Sequence, residues 1–111
     1  MPLDPVRLLA DLVRCPCVNP RGAPPAGPLE GEARLTRFLR DLLEPWGARV
    51  EVTEVLPGRF NLTALFGGTD SARRVLFEAH ADTVPVEGMT IPPFEASIRD
   101  GFAQVMGIDK I

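Results

Sequence analysis

The residues best suited to chemistry in this sequence are a histidine and an aspartate in the segment HADTVP. His80 is the only histidine among the 111 residues, and Asp82 lies two positions after it. Imidazole is a common metal ligand, and a ligating histidine usually donates its other ring N–H to a carboxylate or carbonyl group. The pair therefore predicts a metal-binding histidine, with Asp82 as its supporting acid.

The position of this pair in the chain is consistent with a site, but a structural role is also open. Residues 75–77 are apolar and predict a central strand, beyond whose carboxyl end ligands tend to bind. If the strand continues, His80 and Asp82 point to the same side; otherwise a turn before Pro85 brings them together. The alternative is a hydrogen-bonded histidine at a strand end, with Asp82 capping the next turn.

Two helices followed by strands are predicted to position this segment. Asp4 and Pro5 favour a helix start, and apolar residues then recur at helical spacing until Pro16 ends the helix near Cys15. The remaining predicted elements are a helix over residues 30–44 and strands over residues 49–55, 61–66, 75 onward and 94–99. This order indicates an α/β fold, with two helices preceding a mixed sheet.

Charge and composition exclude several classes of protein. The net charge of −3, from 12 basic and 15 acidic residues, argues against a nucleic-acid partner. No apolar run approaches the roughly 18 residues of a membrane span, and the first residues lack the features of a signal peptide. We therefore expect no membrane association and a cytoplasmic location. Cys15 and Cys17 are expected to be reduced, structural thiols.

Four segments of the chain match, in order, segments typical of one enzyme family. They are LVRCPCVNPRG, PGRFNLTALFGG, VLFEAHADTVPVEGM and IPPFEASIRDG. With these segments the chain resembles the M20 family of metallopeptidases and amidohydrolases, which includes acetylornithine deacetylase, succinyl-diaminopimelate desuccinylase and aminoacylase. One departure is Cys17, which stands where serine is usual. The resemblance implies the N-terminal part of a zinc-exopeptidase-like catalytic domain.

The resemblance also implies roles for particular residues. His80 matches a ligand of one of two zinc ions, which cobalt or manganese can replace, and Asp82 matches the aspartate that orients or polarises the site. Asp109 is the candidate for the metal-bridging aspartate, although it falls about one position short of the expected place. The implied reaction is metal-dependent hydrolysis of an amide bond in an N-acyl amino acid or small peptide.

The match ends abruptly after Gly101, and the remaining metal ligands and the general base of the family are not found in the chain. We therefore expect residues 1–101 to form part of a catalytic domain and residues 102–111 to form a divergent tail. The chain alone is expected to be inactive, and either to self-associate or to be only loosely packed. The alternatives are a non-catalytic half-domain that needs a partner chain, a remnant, or a metallophosphoesterase, which would use more histidine and acidic ligands.

Overall fold

The first helix forms where the sequence predicts it. The computed structural model describes residues 3–104, and helix α1 spans Pro5–Val13. The Asp4 carboxylate accepts hydrogen bonds from the backbone N–H groups of Val6 and Arg7, at 3.0 and 3.4 Å. This is the N-cap arrangement that satisfies donors left free in the first turn.

The second helix is shorter than predicted. Helix α2 spans Ala33–Leu43 and continues into a single 3-10 turn at Glu44–Trp46. Pro45 lacks a backbone N–H, and Gly47 follows with a φ of 92°. These two residues therefore end the helix and turn the chain into the first strand. Within residues 3–104, no helix has the length and apolar character needed to cross a bilayer.

A β-hairpin follows the helices. Strand β1, Arg49–Leu56, pairs antiparallel with strand β2, Arg59–Leu65, with a register irregularity near the turn. Gly58 makes the turn with a φ of 72°, and a Cβ atom on it would lie 2.9 Å from Cδ of Pro25. Only glycine suits both the left-handed backbone and this close approach.

Two further structural features lie at the ends of the described chain. Strands β3, Ser97–Arg99, and β4, Phe102–Gln104, form a second antiparallel hairpin. Nearer the start, the backbone at Val18 forms isolated parallel bridges with Glu30 and with Thr83. These bridges bring the loop after α1 beside the HADTVP segment.

Two predictions about the sheet are wrong for the described part of the chain. The predicted mixed sheet is absent, because the strands of residues 3–104 form two separate antiparallel pairs. The predicted central strand at residues 75–77 is also absent. A strand exists only when its backbone pairs with a neighbour, and residues 75–81 make no backbone–backbone hydrogen bond with another described residue.

The apolar core is thin. Its buried apolar residues are Ala10, Cys17, Val18, Leu35, Ala48 and Ala96, and no large side chain among the described residues is fully buried. By contrast, Val75, Leu76 and Phe77 are 80%, 86% and 91% exposed. A run of three such residues differs from the single exposed apolar side chains that are normal on protein surfaces.

Candidate functional site

His80 and Asp82 lie in direct contact although no strand carries them. Nδ1 of His80 lies 2.8 Å from the backbone carbonyl oxygen of Asp82 and 3.4 Å from its Oδ1. The His80 side chain is 86% exposed, whereas that of Asp82 is 30% exposed. The two residues are therefore in contact within a segment that has no regular secondary structure, and the imidazole faces solvent.

The Asp82 carboxylate is held from its other side by Asn19. Nδ2 of Asn19 donates to Oδ2 of Asp82 at 2.7 Å, across 63 positions of sequence. Oδ1 of Asn19 accepts from the backbone N–H of Arg21, also at 2.7 Å. Each polar atom of the Asn19 amide thus faces a complementary partner, which orients the amide.

Backbone hydrogen bonds join the same two segments. The N–H of Thr83 donates to the carbonyl oxygen of Cys17 at 2.9 Å, and the N–H of Asn19 donates to that of Thr83 at 3.0 Å. Together with the Asn19–Asp82 bond, they fix the loop after α1 to the residues that follow His80. The segment that carries the chemistry is therefore positioned from the N-terminal side of the fold.

A buried ion pair lies beside this junction. Glu32, 5% exposed, accepts a hydrogen bond from Nε of Arg59 that is shared between its two carboxylate oxygens, and another from the backbone N–H of Phe60. Burial works to raise the pKa of Glu32, but the Arg59 and Phe60 hydrogen bonds and the Arg59 charge outweigh it and lower the pKa. Arg59 thus belongs to an ion pair with little exposure to solvent.

The Cys17 thiol is influenced by the charges of both the Glu32–Arg59 ion pair and the Asp82 carboxylate. Burial, followed by the negative charges of Glu32 and Asp82, raises the pKa of the Cys17 thiol to about 11. Cys15 and Cys17 are both free thiols. A protonated, buried thiol is a poor nucleophile and a poor metal ligand, so Cys17 is a packing residue at the base of the site.

An open cavity of about 620 Å³ adjoins the candidate site. Residues 76–82 line one part of it, and Glu32 and residues of α2, β1 and β2 line the rest. Apolar side chains such as Leu35 and Phe60 meet polar groups there, including Glu32, Arg59 and His80. The cavity is therefore mixed in character and continuous with the exposed apolar run at residues 75–77.

The described residues supply one ligand position and not a complete metal site. No group of three or more His, Cys, Asp or Glu side chains among residues 3–104 is arranged to hold a metal ion. His80 has the chemistry of a single ligand, because its Nδ1 is engaged in a hydrogen bond, whereas its Nε2 makes none with a described residue. Asp109, the other predicted ligand, lies outside the described residues.

Sequence reasoning identified the contact between His80 and Asp82 and missed the residues that hold them. Asn19 belongs to a segment that was matched only as a whole, and Glu32 was not singled out. Neither residue stands in a pattern that marks it, since Asn19 lies between valine and proline and Glu32 between glycine and alanine. Their partners lie 63 and 27 positions away, which no local pattern reveals.

Comparisons with known proteins identify related enzymes of much greater length. Succinyl-diaminopimelate desuccinylase of Cereibacter sphaeroides is 40% identical over 108 residues, 92% of this chain and 25% of that protein. Succinyl-diaminopimelate desuccinylase 2 of Ruegeria sp. (strain TM1040) is 37% identical over 102 residues, 89% of this chain and 23% of that protein. The chain thus spans about a quarter of the length of these curated relatives.

A third relative is named for the removal of a different acyl group. N-formyl-4-amino-5-aminomethyl-2-methylpyrimidine deformylase of Halalkalibacterium halodurans is 30% identical over 89 residues, 76% of this chain and 21% of that protein. No family model matches the chain. No solved structure matches it either. The relatives therefore share the chemistry of removing an acyl group, succinyl in some and formyl in another.

Proposed function

From the premise that this chain belongs to the M20 family of metallopeptidases and amidohydrolases, we propose that it is part of a metal-dependent amide hydrolase. The substrate class is an N-acylated amino acid or a similar small acylated amine, of which an N-succinyl amino acid is the first candidate. The observation that carries the proposal is the His80–Asp82 contact, which lies within the segment most typical of this family.

In this proposal His80 binds the metal through Nε2. Asp82 holds the opposite side of the ring, through its carbonyl oxygen at 2.8 Å and its carboxylate at 3.4 Å. Such support fixes the orientation of a ligating imidazole and strengthens it as a ligand. A bound zinc ion would activate a water molecule and polarise the amide carbonyl of the substrate. The ligand role of Asp109 remains part of the proposal.

Complete amide hydrolysis needs further metal ligands, which residues 3–104 do not provide. A catalytic zinc commonly has three protein ligands and an open position, whereas His80 is one ligand. We therefore expect the 111-residue chain to have no measurable hydrolase activity by itself. The division into residues 1–101 and a divergent tail also stays a prediction, although strand β4 already includes Phe102.

A second candidate function is that of a half-domain completed by another polypeptide segment. The exposed run Val75, Leu76 and Phe77 favours it, since about 80–90% exposure of three large apolar side chains is costly in water. The cavity beside this run and the outer edge of β2 offer apolar surface and backbone groups to such a segment. Without it, the same surface would favour self-association.

A complementation experiment tests the proposed activity. The chain is mixed with the remaining three quarters of the Cereibacter sphaeroides desuccinylase, and hydrolysis of N-succinyl-diaminopimelate is followed with added zinc. We expect activity from the mixture, no activity from either part, and loss of activity with His80→Ala. Thr53→Ala, which changes an exposed residue of β1 outside the cavity lining, is the matched control and should keep the activity. Full activity with His80→Ala would contradict the metal-ligand role.

A further inference from the structure

We propose that Asn19 is a positioning residue that, through Asp82, sets the ring tautomer of His80 with the proton on Nδ1. The lone pair of Nε2 is thereby presented outward before any metal arrives. The proposal rests on the proposed function at one point, where it names a metal ion as the group that binds this lone pair. The tautomer itself is a property of the metal-free chain and is tested there.

The orientation of the Asn19 amide is fixed by its two neighbours. Its Oδ1 accepts from the backbone N–H of Arg21, which can only donate. Its Nδ2 must then face Asp82, where it donates to Oδ2 at 2.7 Å. Arg21 has a φ of 55°, so the backbone turns back on the Asn19 side chain at this point. Rotation of the amide by half a turn would break both hydrogen bonds.

Asn19 restrains both the side chain and the backbone around Asp82. With Oδ2 bound to Asn19, Oδ1 of Asp82 is the oxygen that lies 3.4 Å from Nδ1 of His80. The backbone N–H of Asn19 also donates to the carbonyl oxygen of Thr83 at 3.0 Å, which holds the next residue along the chain. The Asn19 side chain therefore holds the Asp82 carboxylate, while the peptide that contains the Asp82 carbonyl is fixed by the Thr83 N–H bond to the carbonyl oxygen of Cys17 at 2.9 Å.

The contact with Asp82 decides where the imidazole carries its proton. A carbonyl oxygen can only accept, so the 2.8 Å contact with Asp82 requires an N–H on Nδ1 of neutral His80. The ring is 86% exposed and has little packing around it. Free imidazole side chains in water favour a proton on Nε2, so the observed arrangement depends on the hydrogen bonds and not on burial.

Nitrogen NMR of the metal-free chain measures the tautomer directly. The ¹⁵N-labelled protein is studied at a pH above which the His80 nitrogen shifts no longer change. We expect a protonated Nδ1 and an unprotonated Nε2 in the wild type. We expect Asn19→Ala to shift the population toward the Nε2–H form. Asn19→Asp should shift it more fully, because its carboxylate repels that of Asp82 and displaces it from His80.

The controls separate a tautomer effect from unfolding. Asn61→Ala removes an amide from β2 that makes no side-chain hydrogen bond with a described residue, and it should leave the His80 nitrogens unchanged. Amide resonances of β1 and β2 report on folding in every variant, and Asn19→Asp keeps the size of the native side chain. A wild-type ring protonated on Nε2, or unchanged nitrogen shifts in both folded Asn19 variants, would overturn the proposal.

Zinc titration of the same samples distinguishes this proposal from the proposed function. If the chain binds zinc through His80, Asn19→Ala should weaken the affinity about 10- to 100-fold, the effect typical of losing a group that supports a ligand. If the tautomer responds to Asn19 but zinc does not bind, the metal function fails and the positioning role stands. If zinc binds tightly to wild type and to Asn19→Ala alike, the positioning role is overturned.

Discussion

The guanidinium of Arg59 and the carboxylate of Glu32 form an ion pair with a shortest nitrogen–oxygen distance of 2.7 Å. The side chains are 19% and 6% exposed, so water screens the pair little. Glu32 immediately precedes α2, and Arg59 begins β2. The pair thus joins the helix to the hairpin in a protein whose apolar core is thin.

Removing the cation of this pair should destabilise the fold strongly. Arg59→Ala leaves the Glu32 carboxylate buried without its partner, which typically costs about 3–5 kcal/mol. The measurement is urea unfolding followed by circular dichroism. Arg49→Ala, at the exposed first residue of β1, is the matched control and should change stability by less than about 0.5 kcal/mol. Equal stability of the two variants would contradict the role of the pair.

Acid should weaken the protein through Glu32. Its pKa is lowered in the folded state, because the hydrogen bonds and charge of Arg59, with the Phe60 N–H, outweigh the opposing effect of burial. The stabilisation is therefore fully present above the unfolded glutamate pKa of about 4.3, and it is lost as pH falls through the lower folded pKa.

Urea midpoints measured between about pH 6 and pH 3 test this pH dependence. Wild type should lose stability across the acidic part of the range, and Glu32→Gln should show a shallower decline from a lower starting stability. Glu54→Gln, on the exposed face of β1, should follow the wild-type curve. The same slope in Glu32→Gln as in wild type would show that another group causes the acid sensitivity.

The two cysteines should differ in reactivity. Burial, reinforced by the charges of Glu32 and Asp82, raises the pKa of Cys17 to about 11, and Cys17 is only 2% exposed. Cys15 is partly accessible, although burial and the Asp11 charge raise its pKa as well. With iodoacetamide near pH 8, mass spectrometry should find Cys15 modified first and Cys17 only after unfolding. Comparable rates in the folded protein would contradict the packing role of Cys17.

The exposed apolar run should govern association between chains. Leu76 is 86% exposed, and Leu76→Lys places a charge in the middle of the run. We expect wild-type chains to associate as concentration rises in sedimentation velocity, and Leu76→Lys to reduce this association. Val84→Lys, at a position that is 61% exposed and outside the run, is the control. A monomeric wild type at all concentrations would remove the case for self-association.

The parts of the fold that depend on neighbouring residues were predicted from sequence, and the parts that depend on distant partners were not. Asp4 and Pro5 specify the start of α1, and alternating side chains specify β1 and β2. The apolar run at residues 75–77 has the composition of a buried strand, but pairing and cover must come from elsewhere. Composition alone cannot supply a partner, so this prediction was wrong for the described residues.

The candidate site also has a local part that was predicted from the sequence and a distant part that was not. His80 and Asp82 are two positions apart, and their contact is local, although neither the strand nor the turn considered in the sequence analysis is found at these residues. The hold of Asn19 on Asp82 depends on how the loop after α1 packs against residues 82–83, across 63 positions. Such a contact is set by tertiary packing, which no spacing within a single segment encodes.

The most direct test of the metal-ligand role is zinc binding by isothermal titration calorimetry on the 111-residue chain and on His80→Ala. We expect weak binding in the wild type, since a single histidine and its supporting acid form only part of a site. We expect that binding to disappear in His80→Ala and to persist in Asn61→Ala. Zinc binding of equal affinity in wild type and in His80→Ala would contradict the assignment of His80 as a metal ligand.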